Sequence, residues 1–150
     1  MKKILIVTVF LVTLASHASA EILAVCTNFK GYGHDVKENA TDLNFYEDSF
    51  SGKTIALLQL NDSGNISYRL AETVNGEAPI VDENPTYLIA QNPANNTLII
   101  FVDGSSQSYT ETYLFDVPTT PSDSGSLVYT QTRNGGSPAV RIMHGDCFAG

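Results

Sequence analysis

Short clusters of turn-forming residues interrupt this chain at close intervals, and they constrain its fold more than any other feature. Three clusters of five residues each separate apolar runs: Asn61–Asn65, Asn92–Asn96 and Asn134–Pro138. Asn, Asp and Gly tolerate positive φ and Pro presets φ, so each cluster predicts a hairpin. Hairpins repeated at short spacing indicate an antiparallel meander.

The runs between the turns are rich in β-branched and aromatic residues, which favour strands. A short helix of two turns at most is expected after Asp35, where Asp35 and Glu38 match a capping box and Ala40 and Leu43 have helical spacing. Eight strands and a shorter ninth are predicted: Ile22–Lys30, Leu43–Glu47 (the ninth), Thr54–Leu60, Ile66–Ala71, Thr86–Gln91, Thr97–Val102, Tyr109–Phe115, Ser126–Thr132 and Ala139–Gly145.

The pattern of apolar and polar residues on the two faces of each strand limits the possible all-β architectures but does not select one. Apolar residues alternate in Ile66–Leu70, so one face of that strand is expected to meet water. In Leu98–Val102 they do not alternate, so the outer face needs cover from a loop, the short helix or a partner. We expect a small up-and-down barrel or a strongly curled sheet, with a two-sheet sandwich as the alternative.

The N-terminus has the layout of a secretory signal peptide. Lys2 and Lys3 precede the apolar run Ile4–Leu14, and Ala18-Ser19-Ala20 matches a cleavage site. The run is too short to span a bilayer, and no second run of that kind follows. The sequence therefore predicts cleavage after Ala20, a single β domain over residues 21–150 and a secreted or periplasmic location.

The two cysteines, Cys26 and Cys147, lie near the two ends of the mature chain. A single pair in an oxidising compartment predicts a disulfide. The alternative is a lipid anchor on Cys26, since Leu23–Cys26 resembles part of a lipoprotein cleavage box. Val25 stands where that box has Gly, Ala or Ser, so anchoring through Cys26 is not expected.

The charge of the chain excludes one class of partner. Loss of Lys2 and Lys3 leaves six basic residues against sixteen acidic ones, a mature net charge of −10. Nucleic acid is bound through clusters of Lys and Arg, and none occurs, so no nucleic-acid partner is expected.

Recognised catalytic and cofactor motifs are absent from the sequence. It has no Gly-x-Ser-x-Gly, no phosphate loop and no dinucleotide fingerprint, so we expect neither an enzyme nor a cofactor. His34 and His144 are the candidate metal ligands. Pairing of the terminal strands through the disulfide would place His144 near Phe29 and well away from His34, so no metal site is expected.

Tyrosines offer the best lead to a binding site. The candidate lining residues are Tyr68, Tyr109, Tyr113 and Tyr129, each on a predicted strand. Tyrosine rings supply apolar area and their hydroxyls supply specificity, as in ligand pockets. The alternative is that the same rings pack a barrel interior.

The last forty residues resemble a group of small exported bacterial β-proteins of unknown function. The resemblance rests on Thr112–Phe115, Ser126–Arg133 and a final strand that ends at Cys147. The meander is also similar to the calycins, which include the ligand-binding lipocalin barrels, although the chain has no Trp for that family's Gly-x-Trp. This second resemblance concerns the fold and implies ligand binding only by analogy.

These observations together predict a non-enzymatic binding module of the cell envelope or the exterior. Its expected ligand is small and apolar or neutral, and is bound inside the barrel. The alternative is an interaction module that binds another envelope protein, such as an inhibitor, assembly factor or host-directed factor, through the doubly apolar strand Leu98–Val102.

Overall fold

The fold is built from nine antiparallel strands. A computed structural model of the chain describes residues 19–35, 44–50, 52–77, 86–92, 94–104, 108–134 and 138–150. Most of the predicted signal peptide and of the predicted helix after Asp35 lies outside these residues. The strands are β1 (Ser19–Asp35), β2 (Tyr46–Phe50), β3 (Lys53–Asp62), β4 (Asn65–Val74), β5 (Thr86–Asn92), β6 (Thr97–Gly104), β7 (Tyr109–Asp116), β8 (Ser124–Arg133) and β9 (Ala139–Ala149).

The strands form one nearly closed barrel. Their order is β4-β3-β1-β9-β8-β7-β6-β5, and β2 pairs with β1 beside β3. Every pairing is antiparallel. Neighbours in the barrel are consecutive strands of the chain except at two places: β1 meets β9, and β1 meets β3 although β2 lies between them in the chain. The predicted all-β, antiparallel fold is confirmed, and the structure selects the up-and-down barrel over the sandwich.

Eight of the predicted strands are present, with ends extended by one to five residues. The ninth begins later than predicted, because β2 starts at Tyr46 and continues beyond the predicted end at Glu47. It pairs with Phe29–Gly33 of β1, while β3 pairs with Ser19–Cys26. The two strands therefore lie end to end along one edge of β1, and Gly52, with φ of 78°, lies between them.

Alternate residues of the strands fill the centre of the barrel. In β3, for example, Ile55 and Leu57 are fully buried while Ala56 and Leu58 are half-buried on the outer face. Inward side chains therefore form a packed core, as expected for a barrel of eight strands. The buried core consists of Ala24, Cys26, Phe29, Ile55, Leu57, Leu98, Ile100, Val102, Tyr113, Phe115, Leu127, Tyr129, Met143 and Cys147.

A β-bulge in β1 makes the inward pattern continuous along this long strand. Thr27 pairs with Asp146 and Lys30 with His144, so β1 has one residue more than β9 over this stretch. Asn28 takes up the extra residue with φ of 57°, a left-handed conformation that Asn adopts more readily than most residues. Phe29 is thereby turned inward and packs against Gly145, where a Cβ atom would lie 2.5 Å from the ring.

The outer face of β6 is open among the described residues. Ile99 on β6 is 40% exposed, and Leu88 on β5 and Leu114 on β7 are 63% and 38% exposed. Leu88 pairs with Phe101, and Ile99 pairs with Leu114, so the four side chains form one apolar outer patch. The cover predicted for the doubly apolar strand is therefore not supplied by the described part of the chain.

The predicted disulfide between Cys26 and Cys147 is confirmed. The two residues are direct partners in the β1–β9 ladder and both are fully buried. Disulfides persist in oxidising compartments outside the cytoplasm, and this one indicates such a location. The described residues include no helix that is long and apolar enough to cross a membrane.

Loss of this disulfide is expected to reduce stability strongly. The bond joins residues 121 positions apart. Closing a loop of that length stabilises the folded state by about 5 kcal/mol in the chain-entropy treatment. We expect Cys26→Ala with Cys147→Ala to lower the free energy of unfolding in urea by several kcal/mol. Wild-type protein unfolded in reductant is the control, and an unchanged urea midpoint in both samples would contradict this role.

Candidate functional site

The barrel has one seam, between β4 and β5, where no ladder joins the described strands. Side chains bridge it instead. The Tyr68 hydroxyl donates to Oε1 of Gln91 at 3.0 Å, and the Arg69 guanidinium lies 5.8 Å from the centroid of the Tyr87 ring. Ile89 pairs with the buried Ile100 yet is 40% exposed, because no strand is paired along its other side.

A pocket of about 240 Å³ lies where this seam meets one end of the barrel. We call it the Tyr68 pocket. None of the described residues that line it is charged, although the chain has sixteen acidic residues. The lining combines four aliphatic residues with amides, a phenol and a hydroxyl: Leu23, Gln59, Tyr68, Gln91, Asn96, Leu98, Val117, Pro118 and Thr119.

A β-bulge and a turn position two of these residues, Leu23 and Asn96, at the pocket. Ile22 pairs with Leu58 and Ala24 pairs with Leu57, so Leu23 is the extra residue of a second bulge in β1. Bulges redirect side chains, and Leu23 is here directed towards the core and the pocket. Asn96 has φ of 53° in the β5–β6 turn, and its carbonyl accepts a hydrogen bond from the amide of Val117 at 3.1 Å.

The opposite end of the barrel holds a network of inward polar side chains. We call it the Glu111 cluster; its members are Lys53, Glu72, Glu111, Tyr113, Tyr129 and Gln131. Glu111 accepts hydrogen bonds from the hydroxyls of Tyr113 and Tyr129, both at 2.7 Å, and from Nε2 of Gln131 at 2.9 Å. The Tyr113 hydroxyl also lies 2.5 Å from Oε1 of Glu72.

Lys53 balances part of the negative charge in this cluster. Its ammonium lies 3.1 Å from Oε2 of Glu72, with only 10% of the Lys53 side chain exposed. It also lies 4.6 Å from the centroid of the Tyr129 ring and 5.0 Å from that of Phe50. Cations over aromatic faces are stabilised by the ring quadrupole. The cation is thus held by one carboxylate and two rings.

Burial and the carboxylates together raise the pKa values of two tyrosines. The pKa of the Tyr113 hydroxyl lies well above its ordinary value of 10, chiefly through burial and then through Glu111 and Glu72. The pKa of Tyr129 is raised for the same reasons, burial first and Glu111 next. Both hydroxyls are therefore neutral at pH 7 and donate to the carboxylates.

The polar groups of the Glu111 cluster bond chiefly to one another. None of its six members lines the Tyr68 pocket or either of two further pockets on the barrel. Among the described residues, no buried side-chain nitrogen or oxygen lacks a hydrogen-bond partner. The cluster thus satisfies its own polar groups at this end of the barrel.

The four predicted tyrosines do not form one site. Tyr113 and Tyr129 lie together in the core, with ring centroids 5.0 Å apart, and each is 1% exposed. Tyr109 lines a separate pocket of about 230 Å³ with Asp103 and Thr132. Of the four residues, Tyr68 alone lines the uncharged pocket at the seam.

The two histidines lie apart on the terminal strands. His144 is exposed and pairs with Lys30, one residue beyond Phe29, whereas His34 pairs with Val140. The four-residue offset along β1 corresponds to about 14 Å. Nδ1 of His34 lies 2.9 Å from the carbonyl oxygen of Asn44. No group of three metal-binding side chains occurs among the residues with described positions.

The sequence predictions missed the amides of the Tyr68 pocket. A signal for them exists, because Gln59 follows Ile55 and Leu57 on the inward face of β3. Gln91 likewise follows Tyr87 and Ile89 in alternation on β5. A polar residue that ends an inward apolar series marks the mouth of a barrel.

The chain matches no protein-family model, and no curated protein or solved structure is detectably similar to it. Its functional assignment therefore depends on the geometry of these two barrel ends.

The raised tyrosine pKa values predict a loss of stability in alkali. The folded state holds both phenol protons while the unfolded chain releases them near pH 10, so the stabilisation is complete below pH 10 and falls as the pH rises. The expected slope is about 1.4 kcal/mol per pH unit for each tyrosine. Urea unfolding at several pH values between about 9 and 11 measures this slope.

A matched pair of variants separates these tyrosines from general alkaline damage. Tyr129→Phe is expected to reduce the pH dependence of the free energy of unfolding by about the contribution of one tyrosine. Tyr32→Phe, at an exposed position on β1, is expected to leave it unchanged. An ultraviolet tyrosinate signal from Tyr113 and Tyr129 in the still-folded protein would contradict the assignment.

Proposed function

We propose that this protein is a secreted or periplasmic, non-enzymatic binding protein that takes one small neutral ligand in the Tyr68 pocket. The observation that most supports this proposal is that the described lining of the pocket is uncharged and partly polar, although the chain as a whole is acidic. Binding pockets combine apolar surface with a few convergent polar groups that orient the ligand. The Tyr68 pocket has this composition.

The polar groups of the pocket favour a ligand that can both donate and accept hydrogen bonds. Gln59, Gln91 and Asn96 each carry an amide oxygen and an amide nitrogen, and Tyr68 adds a hydroxyl. The Tyr68 hydroxyl and the Gln91 oxygen are bonded to each other, so a ligand that reaches one of these groups also lies beside the other.

The packed core sets an upper limit on the ligand. Leu98 forms the boundary between pocket and core, and beyond it Ile100, Phe115 and Leu127 are fully buried. The volume of about 240 Å³ lies below the range of about 300–1,000 Å³ that is usual for drug-sized ligands. We therefore propose a ligand bound at the mouth, smaller than the interior ligand that the sequence suggested.

Mass spectrometry of protein exported by its own host tests location and ligand together. We expect the mass of the denatured protein to equal that of a chain that begins at Glu21. It should also be lower by two hydrogens than the mass of the same chain with both cysteines reduced. The native mass is expected to exceed the denatured mass by one small neutral molecule. A start at Cys26 with added acyl groups would contradict the proposed location.

Two variants test whether that molecule occupies the Tyr68 pocket. Tyr68→Phe removes the hydroxyl that bonds to Gln91, and is expected to reduce the fraction of protein that carries the added mass. Tyr32→Phe removes an exposed hydroxyl at a distance from the pocket and is expected to retain it. Equal ligand content in both variants would place the ligand elsewhere.

A second candidate function is an interaction with another envelope or extracellular protein through the apolar outer patch. Its specific support is the exposure of Leu88, Ile99 and Leu114 on three adjacent strands. Contiguous apolar surface of this kind is typical of protein contacts.

Site-specific crosslinking in the host cell tests the second candidate. A photoreactive residue at Ile99 is expected to yield one adduct of defined mass if the patch is an interface. The same residue at Ile66, which is 58% exposed on the β3–β4 hairpin, serves as the control. Adducts at both positions, or at neither, would contradict an interface at the patch.

A further inference from the structure

We propose that the ligand of the Tyr68 pocket is a single neutral pyranose ring, either a free monosaccharide or the terminal residue of a glycan. This inference rests on the proposed binding function and names its ligand class. The described lining of the pocket has three features to which such a ring is complementary: three side-chain amides, several aliphatic side chains and no charged residue.

The amides match vicinal hydroxyls. Each of Gln59, Gln91 and Asn96 presents a donor and an acceptor in one plane, and neighbouring sugar hydroxyls can accept from the first and donate to the second. A purely apolar ligand would displace water from these groups without replacing its hydrogen bonds, which is unfavourable. The amides therefore select against hydrocarbon and favour a polyhydroxylated ligand.

The apolar residues match the C–H faces of the same ring. Leu23, Leu98, Val117 and Pro118 contribute aliphatic surface to the pocket, and Tyr68 contributes an aromatic ring. A pyranose has hydroxyls around its edge and C–H groups on its faces, so one ring uses both kinds of surface. A small linear polyol would leave the aliphatic surface less completely covered.

The lining and its setting oppose charged ligands. A carboxylate or phosphate would find no cation among the described lining residues and would enter a mature protein of net charge −10. An ammonium group would find no carboxylate in the pocket. Burial of an unpaired charge is strongly unfavourable, so a neutral ring is preferred to an acidic or amino sugar.

A ring in this pocket would also contact both edge strands of the barrel. Tyr68 lies on β4 and Gln91 on β5, and those strands share no ladder in the described part of the chain. A ligand bonded to both residues would link them across the seam. Binding is therefore expected to slow hydrogen exchange of the amides in β4 and β5 more than in β8.

Calorimetric titration with defined probes tests the ligand class. The probes are the methyl glycosides of glucose, galactose and mannose, maltose as a glycan end, and uracil and acetamide as planar neutral molecules. We expect at least one glycoside to bind with one-to-one stoichiometry and to shift the side-chain amide NMR signals of Gln59, Gln91 and Asn96. If maltose also binds, the natural ligand is the end of a glycan. If a glycoside binds and maltose does not, the natural ligand is a free monosaccharide.

Matched amide-to-carboxylate substitutions test the site. Gln91→Glu puts a charge in the pocket and is expected to weaken glycoside binding at least tenfold. Asn61→Asp makes the same change in the β3–β4 turn, where the side-chain oxygen accepts from the Gly64 amide, and is expected to leave binding unchanged. Tyr68→Phe provides a second, uncharged test if Gln91→Glu does not fold.

The possible outcomes separate this inference from the function on which it rests. Saturable binding of uracil or acetamide without any glycoside would overturn the sugar assignment and leave a neutral-ligand pocket. Glycoside binding that Gln91→Glu and Tyr68→Phe both leave intact would overturn the site. Absence of binding by every probe, together with equal native and denatured masses, would overturn the ligand-binding function itself.

Discussion

Pairing of the first barrel strand with the last is the contact on which the rest of the structure depends. β1 and β9 join two groups of strands, one comprising β3 and β4 and the other β5 to β8, into a single sheet. This ladder has the largest loop-closure entropy cost of the strand pairings, since it joins the two ends of the described chain. The disulfide between Cys26 and Cys147 lies within this ladder, so covalent closure and hydrogen bonding secure the same junction.

The barrel interior is divided into three layers along its axis. Apolar side chains fill the middle, neutral polar side chains line one mouth, and the Glu111 cluster lies at the other end. Charged groups can lie inside because Lys53 pairs with Glu72, and the phenols of Tyr113 and Tyr129 donate to Glu111. The two ends therefore differ in kind: one has satisfied its polar groups internally, and the other presents them to a pocket.

The seam explains why the accessible site lies where it does. A barrel of eight strands can fill its interior with side chains, and the middle of this one is filled in that way. Here β4 and β5 meet through the Tyr68–Gln91 hydrogen bond instead of a ladder, and space remains at the mouth beside it. The second bulge of β1 directs Leu23 towards the same space from across the barrel end. The pocket is thus a consequence of incomplete closure.

The sequence alone determined the strands, the hairpins and the cysteine pair, because period-two alternation, turn residues and cysteine count are local signals. Those signals located all nine strands with boundary errors of up to five residues; the shorter ninth, predicted at Leu43–Glu47, is β2 at Tyr46–Phe50. Only the tertiary structure decided which tyrosines share a surface: Tyr113 and Tyr129 became core donors to Glu111, while Tyr68 reached a pocket with Gln91. That outcome depends on barrel closure and on bulges that change which residues face inward, and both are set by contacts between strands distant in the chain.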